Sequence, residues 1–479
     1  MSQVNTLEIE AIAAEGHSAS KQRLAAILRG TVFFSLLSLI VLTAIPYGTS
    51  RPWSIAAFVS LVFALAVLWL IEGYLSQSWF ADSWPLVLPI AGLALFAFLQ
   101  TVPLGNQGNP GGVGFPAWNA ISADPYQTRF FVLELLALLL AGIMLFRTAH
   151  TERRLRITIN VVIAVAAASA LYGILRQTMQ HGPGFGLAFV AADQGYGQFI
   201  NKNHFAFLME MSLGLVLGLV LGGGIRREQT LIYLAALLPL WTGLVLCGSR
   251  GGLIAMAAQV IVAALLFTRL VLMVGATEPQ SRLIKIARLL PVRIGLILAL
   301  IAGIAFGTMW LGGDRLASKI EESRIQLRTD DSALRLGASR NDVWKTTWKM
   351  FAAHPVLGVG MAGYWAAIPA FHDASGTMTP QEAHNDYLEL LASGGLIAAA
   401  LMAWFAVVVF RRIRDNMAAP NRFRRAACFG AAVGISGVAV HSLVDFGLHT
   451  IVNALVFTTL IVIATSKPQW ENKPRKLHE

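Results

Sequence analysis

The sequence predicts an all-α membrane protein that crosses the bilayer about twelve times. Three observations indicate this fold class: 56% of the 479 residues are apolar, only 13% are charged, and the mean hydropathy is +0.62. A soluble enzyme needs roughly a quarter of its residues charged to cover its surface, so this composition excludes one. It also excludes a disordered chain, and two cysteines are too few for a disulfide scaffold.

Apolar runs long enough to cross a membrane recur along the whole chain. The hydrocarbon layer is about 30 Å thick, so a spanning helix needs about 20 apolar residues and no interior charge. Twelve such runs lie near residues 31–47, 53–71, 84–102, 130–146, 157–175, 204–222, 230–247, 252–272, 293–312, 387–410, 426–446 and 451–466. Gly214, Gly218 and Gly222 in the sixth run, and Gly430 and Gly434 in the eleventh, are spaced by four and predict close helix packing.

The distribution of Lys and Arg predicts the orientation of these spans. Cytoplasmic connections carry an excess of basic residues. With the N-terminus inside, alternate connections hold the basic clusters at 147–156, 226–227, 282–293 and 411–425. The predicted organisation is a cytoplasmic tail at 1–30, spans at 31–312, a large periplasmic loop at 313–386, spans at 387–466 and a cytoplasmic tail at 467–479. Topology thus explains most of the net charge of +11, and no nucleic-acid partner is needed.

The large loop between the ninth and tenth spans carries a helical pattern of its own. Trp344, Trp348 and Phe351 are spaced by four and by three residues, which places three aromatic side chains on one face. Lys345 and Lys349 fall on a neighbouring face. We therefore predict an amphipathic helix that lies in the outer membrane interface.

Arg250 is the most informative single residue, because it stands in a short break between two apolar runs. A guanidinium at that depth either reaches water and lipid head groups or binds an anion. The adjacent Gly251 and Gly252 would let the backbone approach a ligand closely. Lys202 is expected at the same depth on the preceding hairpin, and two cations there would suit a diphosphate.

His384 is a candidate general base. It stands beside Asn385 and Tyr387 where the large loop enters the tenth span, and a neutral imidazole there could take a proton from a hydroxyl group. The alternative is a structural histidine, as most of the ten histidines should be.

Several ionisable residues fall within or near the predicted spans. His441 and Asp445 are four apart and should share a helix face, either as a buried pair that fixes helix packing or as part of a site. Glu134, Glu210 and Glu389 could instead serve a transporter as proton carriers, although they form no evident chain. No His or Cys is spaced to complete a zinc site with the acids of the outer loop, so we expect no metal ion and no cofactor.

Four segments in order resemble the O-antigen ligase and polymerase superfamily. They are Asn201-Lys202-Asn203-His204-Phe205-Ala206, Ser249-Arg250-Gly251-Gly252, Arg340 to Gly360 with Trp344 and His354-Pro355, and His384-Asn385-Asp386-Tyr387-Leu388. His441-Ser-Leu-Val-Asp445-Phe is similar to a segment of exopolysaccharide-polymerase-like members. The resemblance covers residues 155–450.

The resemblance implies transfer of a glycan from undecaprenyl diphosphate to an acceptor hydroxyl at the periplasmic face of a bacterial inner membrane, without a metal ion. It implies that Arg250 binds the diphosphate and that His384 deprotonates or orients the acceptor. Lys202 would be a second diphosphate contact, with Arg340 or Arg176 as substitutes. The expected supporting residues are Asn203, His204, Asn385, Tyr387, His441 and Asp445. The expected partners are the lipid-linked donor, a glycan or lipid A-core acceptor, membrane lipids and polysaccharide assembly proteins.

Three function classes remain open from the sequence. The first is a glycan transferase, either a ligase or a polymerase, with the motifs at 201–204 and 441–446 slightly favouring a polymerase. The second is a transporter or flippase of lipid-linked saccharide, which should show internal repeats and broken helices that the sequence does not indicate. The third is a non-catalytic assembly component, which would leave the outer Arg, Lys and His without a role.

Overall fold

The structure is a computed structural model that describes residues 2–45, 47–77, 83–104, 118–179, 195–274, 340–372 and 380–466. The predicted ninth span at 293–312, the loop residues before Arg340 and the predicted tail at 467–479 lie outside the described residues. Apart from two isolated β-bridges, the regular secondary structure of the described ranges is helical.

Twelve labelled helices make up most of the described chain. They are α1 Ser2–Ala44, α2 Pro52–Ser76, α3 Trp84–Leu99, α4 Pro125–Thr148, α5 Glu152–Met179, α6 Lys202–Leu221, α7 Thr230–Leu246, α8 Arg250–Val274, α9 Arg340–Ala353, α10 Asp386–Met417, α11 Arg422–His441 and α12 Ile451–Thr465. Within the described residues, eight helices are long and apolar enough to cross a membrane, and α3, α7 and α12 are shorter apolar helices. The chain is therefore a polytopic α-helical membrane protein.

Three helix boundaries differ from the apolar runs that predicted them. Helix α1 already begins at Ser2, so the segment predicted as a tail is helical. Helix α10 continues past residue 410 to Met417. Helix α11 ends at His441 rather than near 446, and a turn follows in which the N–H groups of Val444 and Asp445 both bond to the carbonyl of His441.

Helices α6 and α11 pack backbone to backbone at the centre of the bundle. A Cβ atom added at Gly214 would overlap the backbone of Gly434, and one added at Gly218 would overlap the backbone of Gly430. Only glycine permits helices to approach this closely. The close helix packing predicted at these glycines is present, and the structure shows that the two glycine series pack on each other, which holds the N-terminus of α6 beside the C-terminal end of α11.

At the end of the bundle opposite the N-terminus of α6, basic side chains join the ends of several helices by ion pairs and hydrogen bonds. Glu72 at the end of α2 bonds to Arg29 of α1 at 2.5 Å and to Arg147 of α4 at 2.8 Å. At the start of α5, Arg156 pairs with Glu152 at 2.7 Å and donates to the carbonyl of Gly224, just after α6. The predicted basic clusters at 147–156 and 411–425 therefore border one common end, since Asn421 also bonds to Glu152.

The His354–Gly360 segment supports a break in α10. Gly395 of α10 has φ +60° and ψ −161°, and the N–H of the next residue, Leu396, donates to the carbonyl of Pro355. The N–H of Gly360 donates to the carbonyl of Ser393 at 2.9 Å. The His354–Gly360 segment thus bonds to backbone groups of α10 that the kink leaves without helical partners, and it shapes the first turns of α10.

Helix α9 confirms the helical pattern predicted within the large loop. Its buried residues are Val343, Thr346, Thr347 and Met350, whereas the ring of Trp348 is more than half exposed and contacts Phe351. The ring of Trp348 therefore lies outside the face that packs on the protein, whereas Trp344 donates its indole N–H to the carbonyl of the buried Ala383. This arrangement leaves Trp348 available to a membrane surface.

Candidate functional site

Asp445 is the centre of a polar cluster at the end of the bundle where α6, α8 and α12 begin. Its side chain is only 1% exposed. It accepts a hydrogen bond from the side-chain amide of Asn203, and it lies 3.6 Å from Nδ1 of His384 and 3.8 Å from the guanidinium of Arg340. Three residues from three distant segments of the sequence therefore converge on one carboxylate.

The pKa of Asp445 is held below its ordinary value. Burial raises this pKa, but the imidazole of His384 close by, the hydrogen bond from the backbone N–H of Phe446 and the neighbouring His204 lower it by more. A carboxylate that accepts several hydrogen bonds stays ionised even where it is desolvated. Asp445 is thus a buried negative charge facing His384 and Arg340.

The position of Asp445 corrects one sequence prediction. His441 and Asp445 were expected on one helix face, but α11 ends at His441 and Asp445 lies in the turn that follows. Their side chains point to different partners. His441 is fully buried, its Nδ1 lies 2.8 Å from Glu210 of α6, and its ring stacks on Phe207. His441 is therefore a packing residue between α6 and α11, and Asp445 belongs to the site.

His384 stands immediately before the N-terminus of α10, in an unusual backbone conformation. Its φ is +50°, in the left-handed region that residues with a side chain seldom adopt. The next residue, Asn385, caps α10 by accepting hydrogen bonds from the N–H groups of Tyr387 and Leu388. The side chain of His384 is 37% exposed, so it contacts both Asp445 and the outside of the bundle.

An aromatic ring connects three histidines at this end of the protein. The ring of Phe446 makes edge-to-face contacts with His384 at 4.8 Å, His204 at 4.9 Å and His449 at 5.5 Å between centroids. His204 bonds through Nδ1 to the hydroxyl of Thr450, at the start of α12. This places the predicted supporting residue His204 behind the site, where it joins α6 to α12.

The predicted cations border this cluster from different helices. Lys202 is the first residue of α6 and is adjacent to Asn203, the partner of Asp445. Arg250 is exposed at the first position of α8, where a Cβ at Gly251 would lie 2.5 Å from Nε2 of His441. The start of α8 therefore packs directly against the end of α11, and the three predicted cations Lys202, Arg250 and Arg340 belong to the same end of the bundle.

Two further predicted residues have structural partners. Tyr387 donates through its hydroxyl to the carbonyl of Ala439 in α11, which ties α10 to α11. Arg176, one of the two substitutes for a diphosphate contact, is 3% exposed and donates to the carbonyl of Gly197. Of those two substitutes, Arg340 is the one with a half-exposed guanidinium that contacts Asp445.

A second charged cluster, which the sequence interpretation missed, lies behind His384. His449 faces three carboxylates: Glu382 at 3.4 Å, Asp386 at 3.6 Å and Glu389 at 3.9 Å. Desolvation disfavours the charged imidazole, but these carboxylates outweigh it and raise the pKa of His449 well above its ordinary value. Among the described residues, Glu382, Glu389 and His449 are also spaced so that they could hold a cation, although a protonated His449 already balances part of their charge.

A sequence signal for this cluster existed but was ambiguous. Glu389 follows His384 by five residues, and the sequence predicts it only as an acid in or near a span that could carry protons in a transporter. His449 follows Asp445 by four residues, which suggests a shared helix although the two lie in a turn and a 3-10 helix. Neither spacing could indicate that Glu389 and His449 meet.

Comparison with known families gives one match. Residues 234–403 match a family model described as O-antigen ligase. No curated protein matches the chain in a sequence search. The matched segment contains Arg250, Arg340 and His384, which are three of the residues that border the polar cluster. This match confirms, over residues 234–403, the resemblance of the chain to the O-antigen ligase and polymerase superfamily.

Proposed function

We propose that the protein transfers a glycan from undecaprenyl diphosphate to an acceptor hydroxyl at the periplasmic face of a bacterial inner membrane. The observation that carries this proposal is the convergence of His384, Arg340 and Asn203 on the buried carboxylate of Asp445. An ionised carboxylate beside an imidazole is the arrangement that a general base requires. Cations at the same end of the bundle supply the positive charge that stabilises a diphosphate leaving group.

In the proposed reaction, His384 accepts the proton of the acceptor hydroxyl while that oxygen attacks the anomeric carbon of the donor. The bond between the anomeric carbon and the diphosphate oxygen breaks, and its electron pair leaves with undecaprenyl diphosphate. Arg250, Lys202 and Arg340 neutralise the charge that develops on the diphosphate. Asp445 holds the ring of His384 and stabilises its protonated form. Side-chain cations thus serve the leaving group without a metal ion in this proposal.

We propose a topology of twelve spans with both termini in the cytoplasm. Two findings support it: eleven of the twelve apolar runs are helices in the described residues, and contacts join the basic clusters at 147–156 and 411–425 to one end. Assigning the basic end to the cytoplasm places Arg250 and His384 at the periplasmic face. Helix α9 would then lie in the outer interface, and the lipid tail of the donor would lie between spans.

The acceptor class distinguishes a ligase from a polymerase. A ligase would transfer a finished chain to a lipid A-core, and a polymerase would join repeat units. The product in a deletion strain separates the two functions. If the protein is a ligase, long lipid-linked chains accumulate in its absence. If it is a polymerase, chain length is lost and single repeats are still attached to the acceptor. Polysaccharide assembly proteins are the proposed partners in either case.

Two acids that could have served a transporter are engaged in local contacts. Glu210 bonds to the fully buried His441, and Glu389 accepts the backbone N–H of Ala383. Both contacts hold segments of the site end together. They favour a transferase with a rigid site over a proton-driven flippase.

The central test replaces His384 and Arg250 separately by Ala. We expect each variant to insert in the membrane at wild-type amounts and to lose transfer of glycan from the lipid diphosphate. Arg226→Ala is the matched control, since Arg226 is an exposed residue in the connection that follows α6. Wild-type product in either site variant would refute the assigned role, and equal loss in the control would show a nonspecific effect.

A further inference from the structure

The backbone of His384 adopts a conformation that local sequence does not favour. A residue with a Cβ atom at φ +50° is strained and persists only where the surroundings hold it. No glycine or helix geometry imposes this conformation, because α10 begins only at Asp386. The contacts on either side of His384 must therefore supply the restraint.

The chain on both sides of His384 is held by backbone hydrogen bonds, at Ala383 before it and at Asp386 two residues after it. The N–H of Ala383 donates to Oε2 of Glu389 at 2.8 Å, and the carbonyl of Ala383 accepts the indole N–H of Trp344 at 3.0 Å. On the other side, the N–H of Asp386 donates to the carbonyl of Ser442 at 2.9 Å. His384 is thus held between two bonded positions, Ala383 and Asp386.

Of the groups that restrain the chain around His384, Glu389 is the one whose side chain bonds across His384, from α10 back to the residue before it. It lies one turn into α10, and its carboxylate reaches back past the capping residue Asn385 to the N–H of Ala383. Ala383 is fully buried and Glu389 is only 8% exposed, so water competes poorly for this hydrogen bond. The second oxygen of Glu389 faces His449, which also faces Glu382, the residue before Ala383.

We propose that Glu389 is the positioning residue that holds His384 in its left-handed conformation and keeps the imidazole directed at Asp445. This inference rests on the proposed function, since it assumes that the orientation of His384 limits the rate. Glu389 itself contacts neither the donor nor the acceptor. Loss of its hydrogen bond would let residues 383–385 relax to an ordinary backbone conformation and move the ring of His384 away from the carboxylate of Asp445.

The test compares Glu389→Ala, which removes the acceptor, with Glu389→Gln, which keeps an amide oxygen in the same place. For transfer from the lipid-linked donor by the full-length protein in membranes, we expect Glu389→Ala to lower kcat at least tenfold. A displacement of a catalytic group by about 1 Å is enough for such a loss. The KM for the donor should stay within about twofold, because Glu389 makes its hydrogen bond to the backbone of Ala383 and not to a side chain that the proposal assigns to the diphosphate. Glu389→Gln should retain kcat within about threefold, and Glu228→Ala, at an exposed acid between α6 and α7, should match the wild type.

A second measurement does not depend on transferase activity. In a His384→Cys background, a membrane-impermeant maleimide labels residue 384, since the native Cys247 and Cys428 are buried. We expect the labelling rate to change at least threefold when Glu389→Ala is added and to stay unchanged with Glu389→Gln. An unchanged rate with both, or equal kcat losses in the Ala and Gln variants, would overturn the inference. An inactive wild type with a changed labelling rate would instead overturn the proposed function and leave the positioning role in place.

Discussion

Asp445→Asn tests the electrostatic core of the proposed mechanism. The substitution keeps the size of the side chain and an oxygen that can accept the hydrogen bond from Asn203, but it removes the negative charge. In the proposed reaction His384 becomes a cation only as the acceptor loses its proton. The charge of Asp445 therefore stabilises the transition state more than the ground state, and its loss should lower kcat.

The magnitude follows from the separation between the two side chains. The side chains of His384 and Asp445 are 3.6 Å apart. Two opposite unit charges at this separation attract each other by about 5 kcal/mol at an effective dielectric constant of ~20 and by about 1 kcal/mol in water. Because the His384 side chain is 37% exposed and Asp445 is buried, an intermediate value of about 2 to 3 kcal/mol applies. This corresponds to a decrease of kcat by roughly 30- to 150-fold.

The assay measures initial rates of glycan transfer by the full-length protein in membrane vesicles, with a thermal denaturation curve for each variant. Asp415→Asn is the matched control, because Asp415 is an exposed acid near the end of α10, where it pairs with the exposed Arg414. A kcat of Asp445→Asn within threefold of the wild type would refute the argument. So would a loss of activity that merely follows a loss of folded protein.

Two further predictions concern packing and pH. Gly218→Ala should destabilise the bundle by about 1 to 3 kcal/mol, because the added Cβ would overlap the backbone of Gly430. Gly30→Ala is the control and should be neutral, since the nearest atom to its added Cβ is 4.0 Å away. Thermal denaturation of both variants measures the difference. The raised pKa of His449 means that its pairing with Glu382 stabilises the protein fully below about pH 6.5, its ordinary pKa, and that this contribution disappears as pH rises through the raised value. The difference in Tm between the wild type and His449→Gln should therefore be largest near pH 6 and shrink in alkali; a constant difference from pH 6 to pH 10 would contradict this.

The sequence predicted the helices well because the membrane imposes a simple rule on them. A lipid-exposed backbone must satisfy its own hydrogen bonds, so each crossing leaves an uninterrupted apolar run. Boundaries were less predictable. The apolar run through 446 includes Leu443 and Val444, which are apolar but belong to a turn. Hydropathy cannot distinguish an apolar helix from an apolar turn at its end.

The candidate site was predictable only as separate residues. Arg250 and His384 were recognisable because each is a polar residue where an apolar run begins. Their surroundings were not, since Asn203 and Asp445 are separated by 242 residues in the chain. The glycine contact between α6 and α11 brings Asn203 and Asp445 together. The spacing of residues within either segment cannot predict this contact between the two helices.

Asp445 and His384, the central pair of the proposed site, lie just outside helix ends for a physical reason. A carboxylate within an apolar helix would have no backbone N–H groups available, because the helix uses them all. Asp445 follows the end of α11, so it can accept the free N–H of Phe446 and remain ionised while buried. His384 precedes α10, where its backbone is free of helical geometry and can turn the ring toward Asp445. Such a site can carry charge at the edge of the membrane, and it depends on neighbours such as Glu389 for its precision, because no helix holds its backbone.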